Sequence, residues 1–119
     1  MDARNVLRSQ WPNIPEDELV ALCREWARAH EYALVVVFDG RAPGGVIGER
    51  DLDEHCVLVG TGRDESADEW LVRAARSYAE EGRPYWLVTS DRALRAAAGQ
   101  AAEKTIGGGT FARALTERR

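Results

Sequence analysis

The sequence predicts an α/β sandwich of doubly wound type: three layers, with a mostly parallel central sheet covered by helices on both faces. Three observations carry that expectation. Short apolar runs alternate with helix-patterned segments along the chain. The run at 32–38 (YALVVVF) is apolar almost throughout, as a strand buried on both faces requires. Glycine-containing turns close the runs, at Asp39-Gly40 and at Gly60-Thr61-Gly62.

In order, residues 13–30 are expected to form the first clear helix. Pro15 suits a first-turn position, Glu16, Asp17 and Glu18 suit the positive helix end, and Leu19, Leu22, Cys23 and Trp26 share a face. Residues 32–38 form the first strong strand. The Gly-rich, charged segment 41–54 reads as a loop, and 56–59 as a second short strand. Residues 66–81 follow as a helix, with Ala67, Trp70, Leu71, Ala74, Ala75 and Tyr78 at helical spacing. Ser66 and Glu69 have capping-box spacing, and Gly82 falls just past the end. Residues 84–89 make a third strand and 91–98 a short helix closed by Gly99. A small last strand is expected at 103–106. Gly107, Gly108 and Gly109 then turn into a final helix at 111–117. No repeat or linker divides the chain, so residues 1–119 read as one domain.

Composition narrows the class. At 45% hydrophobic and 30% charged, the 119 residues are neither disordered nor membrane-spanning. The N-terminus lacks a secretory pattern, so the expected address is the cytoplasm, with no membrane partner. Cys23 and Cys56 sit inside apolar patterns and read as buried reduced thiols. A net charge of −4 argues against gripping nucleic acid through bulk positive charge. Yet Lys104 is the only lysine, and arginine is the better residue for bidentate phosphate contacts. A GC-rich coding bias explains the same excess, so composition leaves the partner open.

The acids are more informative. Ligands of open parallel sheets bind outside the carboxyl ends of the strands. Asp39 follows the first strong strand, Asp64, Glu65 and Asp68 follow the second, and Asp91 follows the third. Asp2, in a short opening segment, makes a candidate fourth. Clustered carboxylates raise one another's pKa unless a cation lies among them. Without histidine or cysteine in the set, Mg²⁺ or Mn²⁺ suits it better than zinc. Each acid also has an ordinary structural role available, as a turn residue at Asp39, a first-turn acid at Asp68 or a helix cap at Asp91. Their coincidence on one sheet edge favours the site.

Other constellations are weaker. His30 and His55 show no sign of facing each other across a cleft, as paired acid–base catalysis requires. The triple glycine reads as a tight turn rather than an anion nest. No phosphate-binding G-x-x-x-x-G-K-[ST] loop is present, and a receiver-type site fails because Gly60 stands at the middle-strand end. Trp26 and Trp70 fall on apolar helix faces, so Trp11, in an expected loop, is the better candidate for stacking on a nucleic-acid base.

Four segments resemble the NYN domains of the PIN-like nuclease superfamily, in particular the YacP-like branch. Asp2-Ala3-Arg4-Asn5-Val6, followed by Ser9, Trp11, Pro12 and Asn13, is similar to the family's opening D-G-x-N-V. Phe38-Asp39-Gly40 resembles the second acidic strand end, Glu65-Ser66-Ala67-Asp68 the E-[ST]-A-D helix start, and Val88-Thr89-Ser90-Asp91 the V-T-S-D strand end. The segment 107–115 (GGGTFARAL) also looks familial. The resemblance implies a PIN-like fold and a Mg²⁺- or Mn²⁺-dependent endoribonuclease that leaves a 5′-phosphate and a 3′-hydroxyl. It implies that Asp2, Asp39, Asp68 and Asp91 hold the metal and its water, and that Asn5 orients a carboxylate or the scissile phosphate. Glu65 and Ser90 would support them. Position alone assigns Arg4, Arg8, Arg41, Arg63 and Arg92 to phosphate contacts.

Two departures stand out. Ala3 replaces the family's opening glycine, and the family's apolar strand before the first aspartate is missing. Either the true start lies upstream, or residues 2–7 supply a stub of strand. The expectation is a gap beside the strand of Asp39 and a version impaired in stability or activity. The competing function is therefore a catalytically impaired module that holds RNA or a protein. The blandest is a structural domain whose acids are caps and turns. RNA is the expected partner, with ribosome association and a homodimer left open.

Overall fold

The computed structural model describes residues 1–9 and 14–117. Asp2 caps the first helix, α1 (Ala3–Arg8), by accepting from the Asn5 backbone N–H at 3.4 Å. Residues 2–7 are thus not a stub of strand. Ala3, Val6 and Leu7 have helical spacing, and only Met1 and Asp2 keep strand-like partners. The second helix, α2 (Glu16–His30), starts later than expected, with Pro15 at the N-cap and Glu16, Asp17 and Glu18 in the first turn. Asn13 lies outside the described residues. Glu31 ends the helix in the left-handed region at φ 57°.

Strand β1 (Leu34–Phe38) is followed by β2 (Gly48–Asp51), inside the segment expected to be all loop. The four residues of β2 are all exposed, so no apolar period announces them. Antiparallel pairing with the next strand, from Gly48↔Gly60 to Asp51↔Val57, makes them a strand. That next strand, β3 (Cys56–Gly60), pairs in parallel with β1 on its other side. Gly60 is required here by proximity. A Cβ would strike the Val46 carbonyl and stand 2.8 Å from the Gly40 carbonyl, because the 40–46 turn crosses the strand end.

Helix α3 (Ala67–Glu80) begins at the expected capping box, with Ser66 and Glu69 each bonding the other's backbone N–H. It leads to β4 (Trp86–Val88), α4 (Arg92–Ala98), β5 (Lys104–Ile106) and α5 (Gly108–Thr116). The last helix starts within the triple glycine rather than after it, with Gly107 as its N-cap.

The expected single sheet is divided. Strands β1, β3 and β2 form one sheet, and β4 and β5 form a second, parallel pair. Met1 and Asp2 lie between the two. The Val37 N–H donates to the Met1 carbonyl at 2.9 Å, and the Asp2 N–H donates to the Val88 carbonyl at 3.1 Å. Side chains of β1 alternate between two apolar clusters. Leu34, Val36 and Phe38 pack with α1, α2 and α5, while Val37 packs with α3 and α4. Cys23 and Cys56 are buried free thiols, as expected, and burial lifts them to about 12 and about 11. Trp26 and Trp70 pack against the two clusters.

The Met1 ammonium is part of this core. It donates to the Val35 carbonyl at 2.7 Å, and burial lowers its pKa from 8.0 to about 6. Between those values the unfolded chain takes up a proton that the folded chain refuses, so stability rises with pH across that window. Urea titrations at pH 6 and pH 8 should differ by about 2 kcal/mol in favour of pH 8. Acetylating the amine should abolish that difference, and an unchanged pH dependence would contradict the burial of its charge.

Candidate active site

Four carboxylates lie within electrostatic reach at the carboxyl ends of β1 and β4, each brought by a different segment. Asp2 arrives through the junction between the sheets and is 7% exposed. Its second oxygen accepts from the Thr89 hydroxyl at 3.3 Å. Thr89, fully buried at the end of β4, also accepts from the Asp91 N–H at 3.2 Å, and its carbonyl accepts from Arg95 Nε at 2.8 Å. One hydroxyl thereby joins Asp2 to the turn that carries Asp91. Asp91 caps α4 by accepting from the Leu94 N–H at 3.0 Å. Asp39, just past β1, accepts from the Ala67 N–H at 2.7 Å, which tethers it to the start of α3. Asp68 is exposed in the first turn of that helix.

Asp68 senses the charge of the other three, and Asp2 that of Asp39. The Asp68 carboxyl is pushed above its ordinary value by desolvation first, and then by Asp2, Asp91 and Asp39. Asp2 is also raised, by burial, with the Asn5 and Thr89 hydrogen bonds opposing the shift and Asp39 adding to it. Among the described residues, Arg4 is the one arginine in ion-pair range of the four, at 3.9 Å from Asp39. Asp39 and Asp91 each commit one oxygen to a backbone N–H, so their second oxygens stay clear of the backbone. No group of three acidic, histidine or cysteine side chains among the described residues is close enough to form a ready-made metal shell. The donor set is nevertheless all hard oxygen. That fits an ion held through one or two carboxylates and water rather than a closed protein cage.

Asn5 braces the rim. Its side-chain carbonyl accepts from the Ser90 N–H at 2.8 Å, and the Ser90 hydroxyl accepts from the Gly108 N–H at 2.8 Å. A Cβ on Gly108 would land on the Asn5 side chain and lie 2.8 Å from the Ser9 hydroxyl oxygen. Only glycine lets α5 approach α1 this closely.

The remaining sequence candidates divide. Glu65 forms a bidentate pair with Arg73 at 2.9 and 3.0 Å, which holds its carboxyl below the ordinary range. It supports α3 rather than joining the four aspartates. Arg8, Arg41, Arg63 and Arg92 are exposed and make no side-chain hydrogen bond or ion pair within the described residues. Trp11 lies outside those residues. Thr89, Arg95 and Gly108 are the residues that sequence reasoning passed over. Thr89 lay inside the V-T-S-D segment, but nothing in the segment showed that its hydroxyl would turn inward.

The model of the YacP-like NYN domain family matches residues 13–118, which leaves Asp2 and Asn5 outside the match. The fold resembles the crystal structure of Rae1 (YacP) from Bacillus subtilis, with a TM-score of 0.72 and 22% identity. That likeness covers 99% of this chain and 74% of the other. A single-substitution variant of the same Bacillus protein matches equally, with TM-score 0.72, 21% identity, and 99% and 75% coverage. No curated protein matches the sequence.

Two substitutions test the wiring. Thr89→Val removes the hydroxyl between Asp2 and Asp91 and should cost about 1–3 kcal/mol in urea unfolding; a neutral result would refute its bridging role. Asp68→Asn removes a carboxylate whose ionisation the fold resists. It should raise the melting temperature at pH 7 by about 2 °C, and the gain should vanish near pH 3, where both states are protonated. A loss of stability at pH 7 would show that the carboxylates are not in mutual repulsion.

Proposed function

On the premise that the chain belongs to the YacP-like NYN domain family, a nuclease-type family, we propose that it is a divalent-metal-dependent endoribonuclease. The observation that supports this reading most is the gathering of Asp2, Asp39, Asp68 and Asp91 at one edge, where among the described residues Arg4 alone stands in ion-pair range. Such an arrangement is costly until a cation enters it.

Asp2, Asp39, Asp68 and Asp91 are the residues that would hold Mg²⁺ or Mn²⁺, one or two of them directly and the rest through water. A bound ion would supply positive charge against the scissile phosphate and Lewis acidity toward water. The chain's own groups do the positioning. Backbone N–H groups fix one oxygen of Asp39 and one of Asp91 before substrate arrives. Thr89 and Asn5 keep Asp2 and the Ser90 turn in register. Arg4, Arg8, Arg41, Arg63 and Arg92 take the phosphates on either side. Water attacks phosphorus, the bond to the 3′ oxygen breaks, and RNA is left with a 5′-phosphate and a 3′-hydroxyl. The working location is the cytoplasm.

A second reading has its own support. No three candidate ligands among the described residues are close enough to chelate one ion. A module that holds RNA without cutting it would need no such convergence.

End-labelled RNA incubated with Mn²⁺ separates the two. Wild-type protein should cut, and Asp39→Asn and Asp91→Asn should each lose on the order of 100-fold. Asparagine still accepts from the Ala67 and Leu94 N–H groups and removes a charge that opposes Asp68, so both variants should melt no lower than the wild type. Equal cutting by all three would mark a contaminant. RNA binding without cutting would establish the second reading.

A further inference from the structure

Gly107 has no conformational reason to be glycine. Its φ of −67° and ψ of 150° suit any residue, so a tight turn does not account for it. What the missing side chain leaves is space. A Cβ there would lie 3.2 Å from Ser90 Oγ, 3.7 Å from Arg95 Nη2 and 3.9 Å from Thr110 Oγ1. Polar side chains from the turn after β4, from α4 and from α5 thus border one notch. Ser90 and Thr110 are exposed, so the notch opens to solvent.

Arg95 gives the notch its chemistry. It is half-buried, and its Nε is committed to the Thr89 carbonyl at 2.8 Å. Among the described residues its Nη groups have no hydrogen-bond acceptor, and no carboxylate comes within ion-pair range of it. Ser90 Oγ accepts from the Gly108 N–H, which leaves its own proton to donate. The Thr110 hydroxyl accepts from Arg113 Nη2 at 3.5 Å and likewise keeps its proton. All three groups can donate, and the charge among them is positive. That set suits an oxyanion.

Arg95 also differs from the arginines of the outer rim. Arg4, Arg8, Arg41, Arg63 and Arg92 are exposed and must lose rotamer freedom to hold a phosphate. Arg95 is already held by Thr89, so less is lost when a ligand arrives. Its position is equally specific. Thr89 holds Arg95 through its carbonyl, and Asp2 and the Asp91 N–H through its hydroxyl. One residue therefore separates the notch from the carboxylate edge. We propose that Arg95, with Ser90 and Thr110, binds the RNA phosphate next to the scissile one, seating a non-bridging oxygen over Gly107. The assignment rests on the nuclease reading for its ligand, RNA, and not for the cutting. A strand is then held at two neighbouring phosphates, which fixes its register over the carboxylates.

Two substitutions reach the notch by different routes. Arg95→Gln removes the charge but keeps an N–H at the same bond count from the backbone, so the Thr89 carbonyl keeps its donor. Gly107→Ala changes no charge, suits the backbone and fills the notch. Binding of a labelled oligouridine is followed by fluorescence anisotropy against KCl, with Ca²⁺ as a hard cation for the carboxylates. Each variant should bind about tenfold more weakly. The slope of log Kd on log salt should fall by about 0.7, the share of one single-strand phosphate. Neither variant should melt lower than the wild type by more than about 2 °C. Wild-type affinity and slope in either variant would overturn the proposal. So would a loss confined to Arg95→Gln and accompanied by a lower melting temperature, which would make Arg95 a brace for Thr89 alone. A probe that binds only when it carries a 5′-terminal phosphate would contradict the assignment to an internal one. No binding by the wild-type chain would remove the nuclease reading as well, whereas binding indifferent to both substitutions removes this proposal alone.

Discussion

Two backbone hydrogen bonds join the two sheets of this fold: Val37 N–H to the Met1 carbonyl and Asp2 N–H to the Val88 carbonyl. Without them the β1–β3–β2 sheet and the β4–β5 pair share no strand. The same two residues fix the chemistry of the rim. Once Met1 is threaded between Val35 and Val37, Asp2 must emerge at the carboxyl ends of both sheets, beside Thr89 and within electrostatic reach of Asp39. A structural joint and a candidate catalytic carboxylate are thus consecutive residues, and a disturbance of one reaches the other.

The carboxylates are assembled by ordinary local devices. Asp2 and Asp91 are helix caps, and Asp39 accepts from the first N–H of α3. Capping and site-building are not rival explanations for these residues. A cap fixes a carboxylate through one oxygen and leaves the second for something else. What capping does not explain is why three such devices and Asp68 were brought to one edge with Arg4 alone, among the described residues, in ion-pair range. Uncompensated like charge opposes the fold, and it makes sense if a cation relieves it in use.

Much of this was legible in the sequence. The Ser66–Glu69 box, the Asp91 cap with Gly99 behind it, and the apolar strands β1 and β3 follow from local rules. The aspartates were legible as strand-end acids, and the family resemblance placed them in order. Strand β2 was not legible, because Gly48–Asp51 contains no apolar residue and owes its form to its partner. The stub of strand that was one alternative for residues 2–7 is instead a helix, with Ala3 and Val6 buried and Asp2 as its cap. Gly108 and Gly109 looked like a turn, since nothing local announces that α5 must pass against Asn5. The buried hydroxyl of Thr89 was hidden for the same reason: its partners lie 87 residues away at Asp2 and two residues away at Asp91.

A single cation held directly or through water at the edge shared by Asp2, Asp39, Asp68 and Asp91 is the claim from which the functional reading follows. A Mn²⁺ titration followed by amide NMR reaches it directly, because the paramagnetic ion broadens nearby signals. The Ala67, Leu94 and Asn5 amides, which donate to three of these carboxylates, should broaden together at substoichiometric Mn²⁺, ahead of the rest of the chain. Broadening centred elsewhere, or none that saturates, would contradict a shared site.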